Sequence, residues 1–215
     1  MHPDSAREQM ITQQLRAWHV LNPRVLRTMA EIPRERFFSP AYQGLAFADA
    51  AVPIGHNQVM LPPKIQGRLL QALAPTPNDW VLDVGTGTGF LAACLARMAA
   101  QVHSIDICPE FPDLAKARLS DLGVRNVSTE IADAMAFDSS RQFDAIAITA
   151  ALPVYQDRFE EWLAPGGRMF VVVGMPPIRE ALLVTRSQSG CDRQVLFETD
   201  LPQMINAPLP EEFVF

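Results

Sequence analysis

Residues 81–90 read VLDVGTGTGF, an apolar run with one acid that leads into three glycines at alternate positions. An apolar run that stops at glycines is typical of a buried strand followed by a tight turn. The apolar residues from Phe90 onward predict a helix, so the stretch reads as strand, turn and helix. Because glycine lets a ligand approach the backbone closely, we predict a ligand site at the carboxyl edge of a sheet.

The alternation of strand and helix continues along the chain. Helices are predicted over 88–98, up to about Leu122 and in a short segment ending near Leu163, and the intervening strand-like runs are VHSIDI (102–107), VSTEI (127–131), DAIAIT (144–149) and RMFVVV (168–173). Two further runs, EALLVTRSQ and RQVLFETD, flank a Ser-Gly turn and predict an antiparallel hairpin at one sheet edge. We therefore predict an α/β fold with a mostly parallel, Rossmann-like sheet and helices on both faces.

The first 75 or so residues follow a different, helical pattern. The segment from Ser5 to Glu8 has the spacing of a capping box, and the helix after it would bury an apolar face. Asn22 and Pro23 predict the N-cap and first residue of a second helix. Pro63 predicts the first residue of a third helix. We therefore predict that the chain starts with a helical extension.

Residues 34–63 connect these helices and are too long and irregular for a simple connection. Loops of that kind are more often functional than incidental. We predict that residues 1–75 form a helical extension with a substrate loop. Residues 76–215 are predicted to form the ligand-binding domain, with both parts packed as one compact unit.

Composition excludes several classes of protein. The net charge of −6 argues against a protein that binds nucleic acid by neutralising phosphates. No apolar stretch reaches the length of a membrane span, and the first ten residues lack the apolar core of a secretory signal. The three cysteines are widely spaced and form no metal-binding pattern. We expect a cytoplasmic protein with reduced thiols that binds no metal, nucleic acid or membrane.

The identity of the ligand follows from the acids around the glycine turn. Phe90 stands where the dinucleotide-binding fingerprint requires its third glycine. Asp106 ends the second strand 21 residues after Gly85 and would accept hydrogen bonds from ribose hydroxyls. Asp133 would accept from an adenine amino group, and Asp83 from an ammonium group. Three acids and no basic residue in the turn fit S-adenosylmethionine, a phosphate-free cation, and fit NAD poorly.

Four segments resemble the protein-L-isoaspartate O-methyltransferases, a family of class I S-adenosylmethionine-dependent methyltransferases. They are IPRERFFSP (32–40), LAFADAAVPIGHNQ (45–58), VLDVGTGTGFLAACLA (81–96) and LAPGGRMFVVVG (163–174). The PRERF and PIGHNQ parts are the most particular to this family. The resemblance implies a seven-stranded sheet whose cofactor is covered by the helical extension and the 45–63 loop. It implies methylation of the free carboxylate of isoaspartyl residues in damaged proteins, which begins their repair through a succinimide.

The acids, the turn and the resemblance together define the candidate site residues. The predicted cofactor-binding residues are Asp83, Gly85, Thr86, Gly87, Gly89, Asp106, Ile107, Asp133, Ala134 and Met60. The predicted substrate-cleft residues are Asp49, His56, Gln58 and Leu61. For His56 we favour a loop histidine bonded to backbone over a general base. For Asp49 a loop-capping role is as well supported as a substrate contact.

One departure from the family pattern concerns the acceptor. The family segment GHGQTIS carries a Thr and a Ser, the latter linked to substrate binding and catalysis, where this chain has Val59 and Leu61. Losing one hydrogen bond to a charged group costs about 1.5–3 kcal/mol. The acceptor carboxylate is already ionised near neutral pH and needs no general base, and the backbone amides of Met60 and Leu61 could still hold it. The catalytic residue is therefore left unassigned.

Several functions stay open at this point. The first is a carboxyl methyltransferase of the isoaspartyl type. The second is a diverged methyltransferase with a more apolar acceptor, or with another protein site as acceptor. The third is a module that binds S-adenosylmethionine without turnover, and Phe90 disfavours a nicotinamide oxidoreductase. The sequence assigns no oligomeric state, and the tail from Leu201 to Phe215 either covers the cleft or docks a partner.

Overall fold

The computed structural model of the chain describes residues 3–210. Helix α1 (Pro3–Gln9) continues into a π-helical turn (Met10–Leu15) and a 3-10 turn (Arg16–Trp18). Ser5 therefore lies inside α1, and the predicted capping box is wrong. Proline suits the first turn of a helix because its φ is fixed near the helical value and its missing N–H is not needed there, so the helix already begins at Pro3.

The other two helices of the extension begin where the sequence predicts. Helix α2 (Pro23–Glu31) is capped by Asn22, whose side chain accepts a hydrogen bond of 2.9 Å from the backbone N–H of Arg24. Helix α3 (Pro63–Leu73) has Pro63 at its first position and buries most of its length against the sheet. Both predictions are confirmed because they rest on local backbone chemistry.

The loop between α2 and α3 contains a hairpin that the sequence did not predict. Strand β1 (Val52–Gly55) pairs antiparallel with β2 (Gln58–Met60). His56 and Asn57 form the turn with φ of 52° and 55°. Such turns favour Asn-Gly or Asp-Gly, and proline argues against a strand. The pair His56-Asn57 and the proline within β1 therefore concealed the hairpin.

The main sheet has seven strands in the order β5-β4-β3-β6-β7-β8-β9. The first five of these pair in parallel, and β8 and β9 add antiparallel at one edge. This arrangement confirms the predicted fold class and the edge hairpin. The strands are β3 (Trp80–Val84), β4 (Gln101–Asp106), β5 (Val127–Ile131), β6 (Phe143–Leu152), β7 (Leu163–Met175), β8 (Ile178–Ser187) and β9 (Gly190–Glu198).

Helices α4 (Phe90–Ala96) and α5 (Glu110–Asp121) follow β3 and β4, and a 3-10 turn (Asp157–Trp162) precedes β7. One apolar cluster joins the extension to the sheet, since Met10 and Met29 belong to the same buried core as Phe90. The extension thus shares its core with the domain. Whether the division at residue 75 separates two units stays a prediction.

Cysteine chemistry and membrane-spanning potential can be checked within residues 3–210. Cys94, Cys108 and Cys191 are free thiols. No group of three or more His, Cys, Asp or Glu in this range could hold a metal ion. No helix of this part of the chain is long and apolar enough to span a bilayer.

Candidate active site

A cavity of about 890 Å³, partly open to solvent, lies at the carboxyl ends of the parallel strands. Its walls come from three parts of the chain: the strand ends at 84–88, 105–108, 132–134 and 149–150, the β1–β2 hairpin and the start of α3, and residues 202–205. The cavity therefore lies at the predicted sheet edge.

Protein neighbours explain two of the three glycines in the turn. A Cβ atom on Gly85 would collide with the Thr149 hydroxyl, and one on Gly89 would lie 2.8 Å from the Ala115 Cβ atom. Both glycines also have positive φ, 102° and 88°, which disfavours other residues. Gly85 and Gly87 line the cavity, whereas Gly89 packs against α5. We predicted that all three glycines make room for a ligand. For Gly89 this is corrected, because the space there is limited by α5.

Asp106 lines the cavity at the end of β4. Its Oδ2 atom accepts a hydrogen bond from Gly87 N at 2.9 Å, and its Oδ1 atom accepts one from Cys108 N at 3.0 Å. Burial raises the pKa of Asp106, although both hydrogen bonds oppose the rise. A carboxylate has about four acceptor positions, so it can still accept from a ligand hydroxyl.

Asp133 lines the same cavity after β5. Its Oδ1 atom accepts from Met135 N at 2.8 Å, and its Oδ2 atom accepts from the Asn206 side-chain amide at 2.8 Å. Ala134 and Ile107 are further cavity residues. The sequence placed an acid here but did not predict that the tail would contact it.

Asp83 is fully buried beneath the cavity and does not line it. Ser104 Oγ donates to Asp83 Oδ2 at 2.7 Å, so the 2.7 Å contact between Thr86 Oγ1 and Ser104 Oγ must be donated by Thr86. Thr86 lines the cavity and links it to the acid. Asp83 Oδ1 has no hydrogen-bond partner in the described structure, and burial raises the Asp83 pKa to about 7. Direct contact with a ligand ammonium group stays a prediction.

The predicted substrate residues divide into two groups. Gln58 and Leu61 line the cavity together with Met60 and Val59. Asp49 instead pairs with Lys64 Nζ at 2.8 Å.

His56 belongs to the second group. Its Nε2 atom lies 3.2 Å from Glu110 Oε2, and its ring meets the edge of Phe111. The prediction that this imidazole bonds to backbone is wrong, because the hairpin turn directs it toward α5. His56 does not line the cavity.

Arg34 is a buried residue to which the sequence assigned no role. Its Nε donates to Ala46 O at 2.7 Å, its Nη2 donates to Leu61 O at 2.8 Å, and its Nη1 donates to Gln66 Oε1. Burial lowers the Arg34 pKa to about 9, which leaves the group charged at neutral pH. No carboxylate pairs with it within residues 3–210. One available signal was Gln66, a polar residue on the same buried face of α3 as Leu69 and Leu70.

Residues after β9 form one wall of the cavity, which the sequence could not assign. Pro202 O accepts from Ala151 N at 2.8 Å, and Met204 N donates to Ala151 O at 2.8 Å, so the segment runs along the end of β6. Arg179 anchors it by donating to Asp200 and to Leu201 O. Residues 202–205 of the tail therefore form a wall of the cleft. Its Pro-rich sequence gave no periodic signal that could reveal this path.

The charges around the cavity restrict what it can hold. Asp106 and Asp133 line it, and no Lys, Arg or His of the described residues does so. A phosphate-free cationic nucleoside fits these groups, whereas a pyrophosphate would face acids without a counter-charge. The sheet order and this acid-lined cavity at its carboxyl edge define a Rossmann-like protein of the class I methyltransferase type.

Comparison with known sequences identifies the family. The family model for protein-L-isoaspartate(D-aspartate) O-methyltransferase matches residues 5–199. A protein-L-isoaspartate O-methyltransferase of Koribacter versatilis is 41% identical over 185 residues, covering 86% of this chain and 83% of the relative. One from Ectopseudomonas mendocina is 35% identical over 211 residues, covering 97% of this chain and all of the relative. The chain belongs to the protein-L-isoaspartate(D-aspartate) O-methyltransferase family.

Solved structures agree on the fold. A crystal structure from Plasmodium falciparum, described as a protein-L-isoaspartate O-methyltransferase with bound S-adenosyl-L-homocysteine, superposes with a TM-score of 0.78. It is 17% identical and covers 94% of this chain and 97% of its own. A second protein-L-isoaspartate O-methyltransferase gives a TM-score of 0.79 at 20% identity, covering 92% of this chain and 65% of its own. At these identities the comparison supports the fold alone.

Proposed function

We propose that this protein transfers the methyl group of S-adenosylmethionine to the free carboxylate of isoaspartyl residues in damaged proteins or peptides. The observation that carries the proposal is the cavity itself, which has two acids at the strand ends and no basic side chain on its described walls. Family membership supports the same activity. The product would be a methyl ester and S-adenosylhomocysteine.

The cofactor would supply a methyl group bound to a positively charged sulfur. Asp106 would accept hydrogen bonds from its ribose hydroxyls. Asp133 and Ala134 would adjoin the adenine edge, while Thr86 and Gly87 would contact the remaining part from the turn. Met60 from the hairpin would close the opposite side. These residues orient the cofactor, and the tail excludes water from one side of it.

The acceptor carboxylate needs no proton removed, since its ordinary pKa lies far below neutral pH. The protein has to align a carboxylate oxygen with the methyl group and exclude competing water. Gln58 of the hairpin and Leu61, which follows it, line the cavity and would face the acceptor carboxylate. His56 lies against Glu110 and Phe111, which is consistent with chemistry that uses no histidine base.

A direct test uses the purified protein, labelled S-adenosylmethionine and two peptides of one sequence, with isoaspartate or with ordinary aspartate at one position. We expect base-labile methyl groups, released as labelled methanol, from the isoaspartyl peptide alone. Equal labelling of both peptides would contradict the proposed specificity. Calorimetric cofactor binding with no labelled product from either peptide would favour a binding module without turnover.

A second candidate is a diverged methyltransferase with a more apolar acceptor. The observation in its favour is that Val59 and Leu61 line the cavity where the resembling family carries hydroxyls. Under this alternative, an apolar acceptor would take up the labelled methyl group and the isoaspartyl peptide would not. Transfer to such an acceptor, with no transfer to the isoaspartyl peptide, would replace the first proposal by the second.

A further inference from the structure

Gln66 is a nearly fully buried polar residue on a wall of the cavity, in the first turn of α3. Its side-chain oxygen accepts the hydrogen bond from Arg34 Nη1. A guanidinium only donates, so Gln66 must turn its oxygen toward Arg34. The NH₂ group of Gln66 therefore points away from Arg34, and it donates no hydrogen bond to any residue in 3–210. Arg34 fixes which end of the amide is available as a donor.

The same guanidinium places this donor beside the altered acceptor position. Arg34 Nη2 donates to the carbonyl oxygen of Leu61 at 2.8 Å. Leu61 and Gln66 thus bind neighbouring nitrogens of one guanidinium, and both line the cavity. Leu61 stands where the resembling family has the serine linked to substrate binding. An amide donor is therefore present close to the position of the lost hydroxyl.

The electrostatics of this end of the cavity favour an anion. Arg34 is buried and charged, and its neighbour Cys94 has a pKa raised by burial to about 12, so that thiol is no counter-ion. A buried cation without an anion is costly. The N-terminal turn of α3 adds a partial positive charge. The acids of the cavity, Asp106 and Asp133, lie instead at the strand ends.

We infer that the Gln66 side-chain amide, oriented by Arg34, binds the carboxylate of the methyl acceptor in place of the missing hydroxyls. Gln66 would be a residue that touches the substrate, and Arg34 a positioning residue behind it. The inference rests on the proposed function, since it assumes a carboxylate acceptor. It deepens that proposal by assigning the acceptor's hydrogen-bond donor.

The test compares Gln66→Met, which keeps the length and removes the donor, with Gln71→Met as a matched control. Gln71 lies on the same helix and holds Leu21, Asn22 and His19 through three backbone hydrogen bonds, so its loss perturbs α3 without touching the cavity. Calorimetry with S-adenosylhomocysteine present would measure binding of an isoaspartyl peptide and of its carboxamide counterpart.

For Gln66→Met we expect the isoaspartyl peptide to bind about 10- to 100-fold more weakly, with S-adenosylhomocysteine affinity unchanged and the carboxamide peptide much less affected. In turnover the loss should appear mainly in KM. Gln66→Glu, whose carboxylate would pair with Arg34 and repel the acceptor, should weaken binding further. Gln71→Met should lower stability and leave both peptide affinities unchanged.

The inference would be overturned if Gln66→Met bound the isoaspartyl peptide as tightly as the wild type does. It would also be overturned if the variant lost equal affinity for the isoaspartyl and the carboxamide peptide. Binding of the peptide by the wild type without methylation would overturn the proposed function, while weaker binding by Gln66→Met would still support the contact between Gln66 and the peptide carboxylate. Failure of the wild type to bind the peptide would overturn both. If the variants do not fold, amide nitrogen NMR of the wild type serves instead, and an unmoved Gln66 side-chain signal on peptide addition would contradict the inference.

Discussion

Asp83 is a fully buried acid whose raised pKa should make cofactor binding depend on pH. Because its pKa is about 7, the acid is mostly protonated below pH 7 in the ligand-free protein. The ammonium group of the ligand favours the ionised form, so we expect affinity to fall by up to about ten-fold per pH unit below 7. Calorimetry with S-adenosylhomocysteine from about pH 5.5 to 8.5 measures this. Asp83→Asn should flatten the profile, and a flat wild-type profile would contradict the prediction.

The same group should also affect stability, with the opposite sign to a salt-bridged acid. Between the ordinary pKa of 3.8 and about 7, the folded state holds a proton that the unfolded chain has released. Stability contributed by protonated Asp83 is therefore fully present below pH 3.8 and is lost progressively as the pH rises to about 7. Urea unfolding should show Asp83→Asn gaining stability relative to the wild type between about pH 4 and 7. A difference in the free energy of unfolding between Asp83→Asn and the wild type that stays constant over this pH range would contradict the raised pKa.

At the scale of single residues, the sequence predicts those residues whose role follows from their position at the end of a strand. Asp106 and Asp133 were predicted as cavity residues because each follows a strand of a parallel sheet, and strand ends meet at one edge. Arg34 and Gln66 were not predicted. Their role depends on being buried next to each other, although 32 residues separate them in sequence. No local pattern encodes that contact.

At the scale of elements, the contact between the glycine turn and α5 is a sensitive point. Alanine at Gly89 would bring its Cβ atom to 2.8 Å from Ala115 and keep a positive φ. We expect Gly89→Ala to cost about 2–4 kcal/mol, since backbone strain and overpacking add. Gly123→Ala is the control, because Gly123 also has positive φ, 71°, but open space around it. It should cost only about 1–2 kcal/mol; equal losses in denaturant unfolding would exclude the packing effect.

The tail segment is held by one end of β8, and that anchor can be removed. Arg179 is buried and binds Asp200 and Leu201 O. We expect Arg179→Met to speed hydrogen exchange at Met204 N, which bonds to Ala151 O, and to weaken cofactor binding several-fold. Arg186→Met removes an arginine from the opposite end of β8 and should change neither quantity. Unaltered exchange in Arg179→Met would show that the segment is held by other contacts.

The elements were predictable to different degrees. The five parallel strands follow from apolar runs separated by helical segments, and the edge hairpin from two runs around a turn. The β1–β2 hairpin and the tail lacked such signals, because one has an unusual turn and the other is neither helix nor strand. Both form cavity walls. The sequence thus predicted the wall of the site that the sheet forms, and largely failed to predict the opposite walls formed by the hairpin and the tail.

At the scale of the whole molecule, Arg168 connects the extension to the sheet. It donates to Leu73 O and to Ala74 O at the end of α3, and its Nη2 lies 2.7 Å from Asp79 Oδ2. Burial alone would raise the Asp79 pKa, but hydrogen bonds from Thr76 and Arg168 outweigh it and hold the pKa below its ordinary value. One side chain therefore joins the helix, the start of β3 and β7.

We expect Arg168→Met to destabilise the protein by about 1–3 kcal/mol, since it leaves two helix-end carbonyls and a largely buried acid without their partner. Asp79 contributes stability above its ordinary pKa of 3.8, and this contribution is lost as the pH falls through its lower folded value. The difference in the free energy of unfolding between variant and wild type, measured with urea, should become smaller at acid pH. If this difference did not change with pH, the ion pair between Arg168 and Asp79 would contribute no stability beyond that of the hydrogen bonds to the carbonyls.

The contact between Gly85 and Thr149 has a consequence for variation in this pocket. Thr149 Oγ1 donates to the carbonyls of Val84 and Gly85 and fills the space that a side chain at position 85 would need. A library that randomises position 85 alone should therefore return mostly glycine, because a side chain there meets Thr149 and the backbone has a φ of 102°. Joint randomisation with position 149 removes the first of these two barriers and leaves the second.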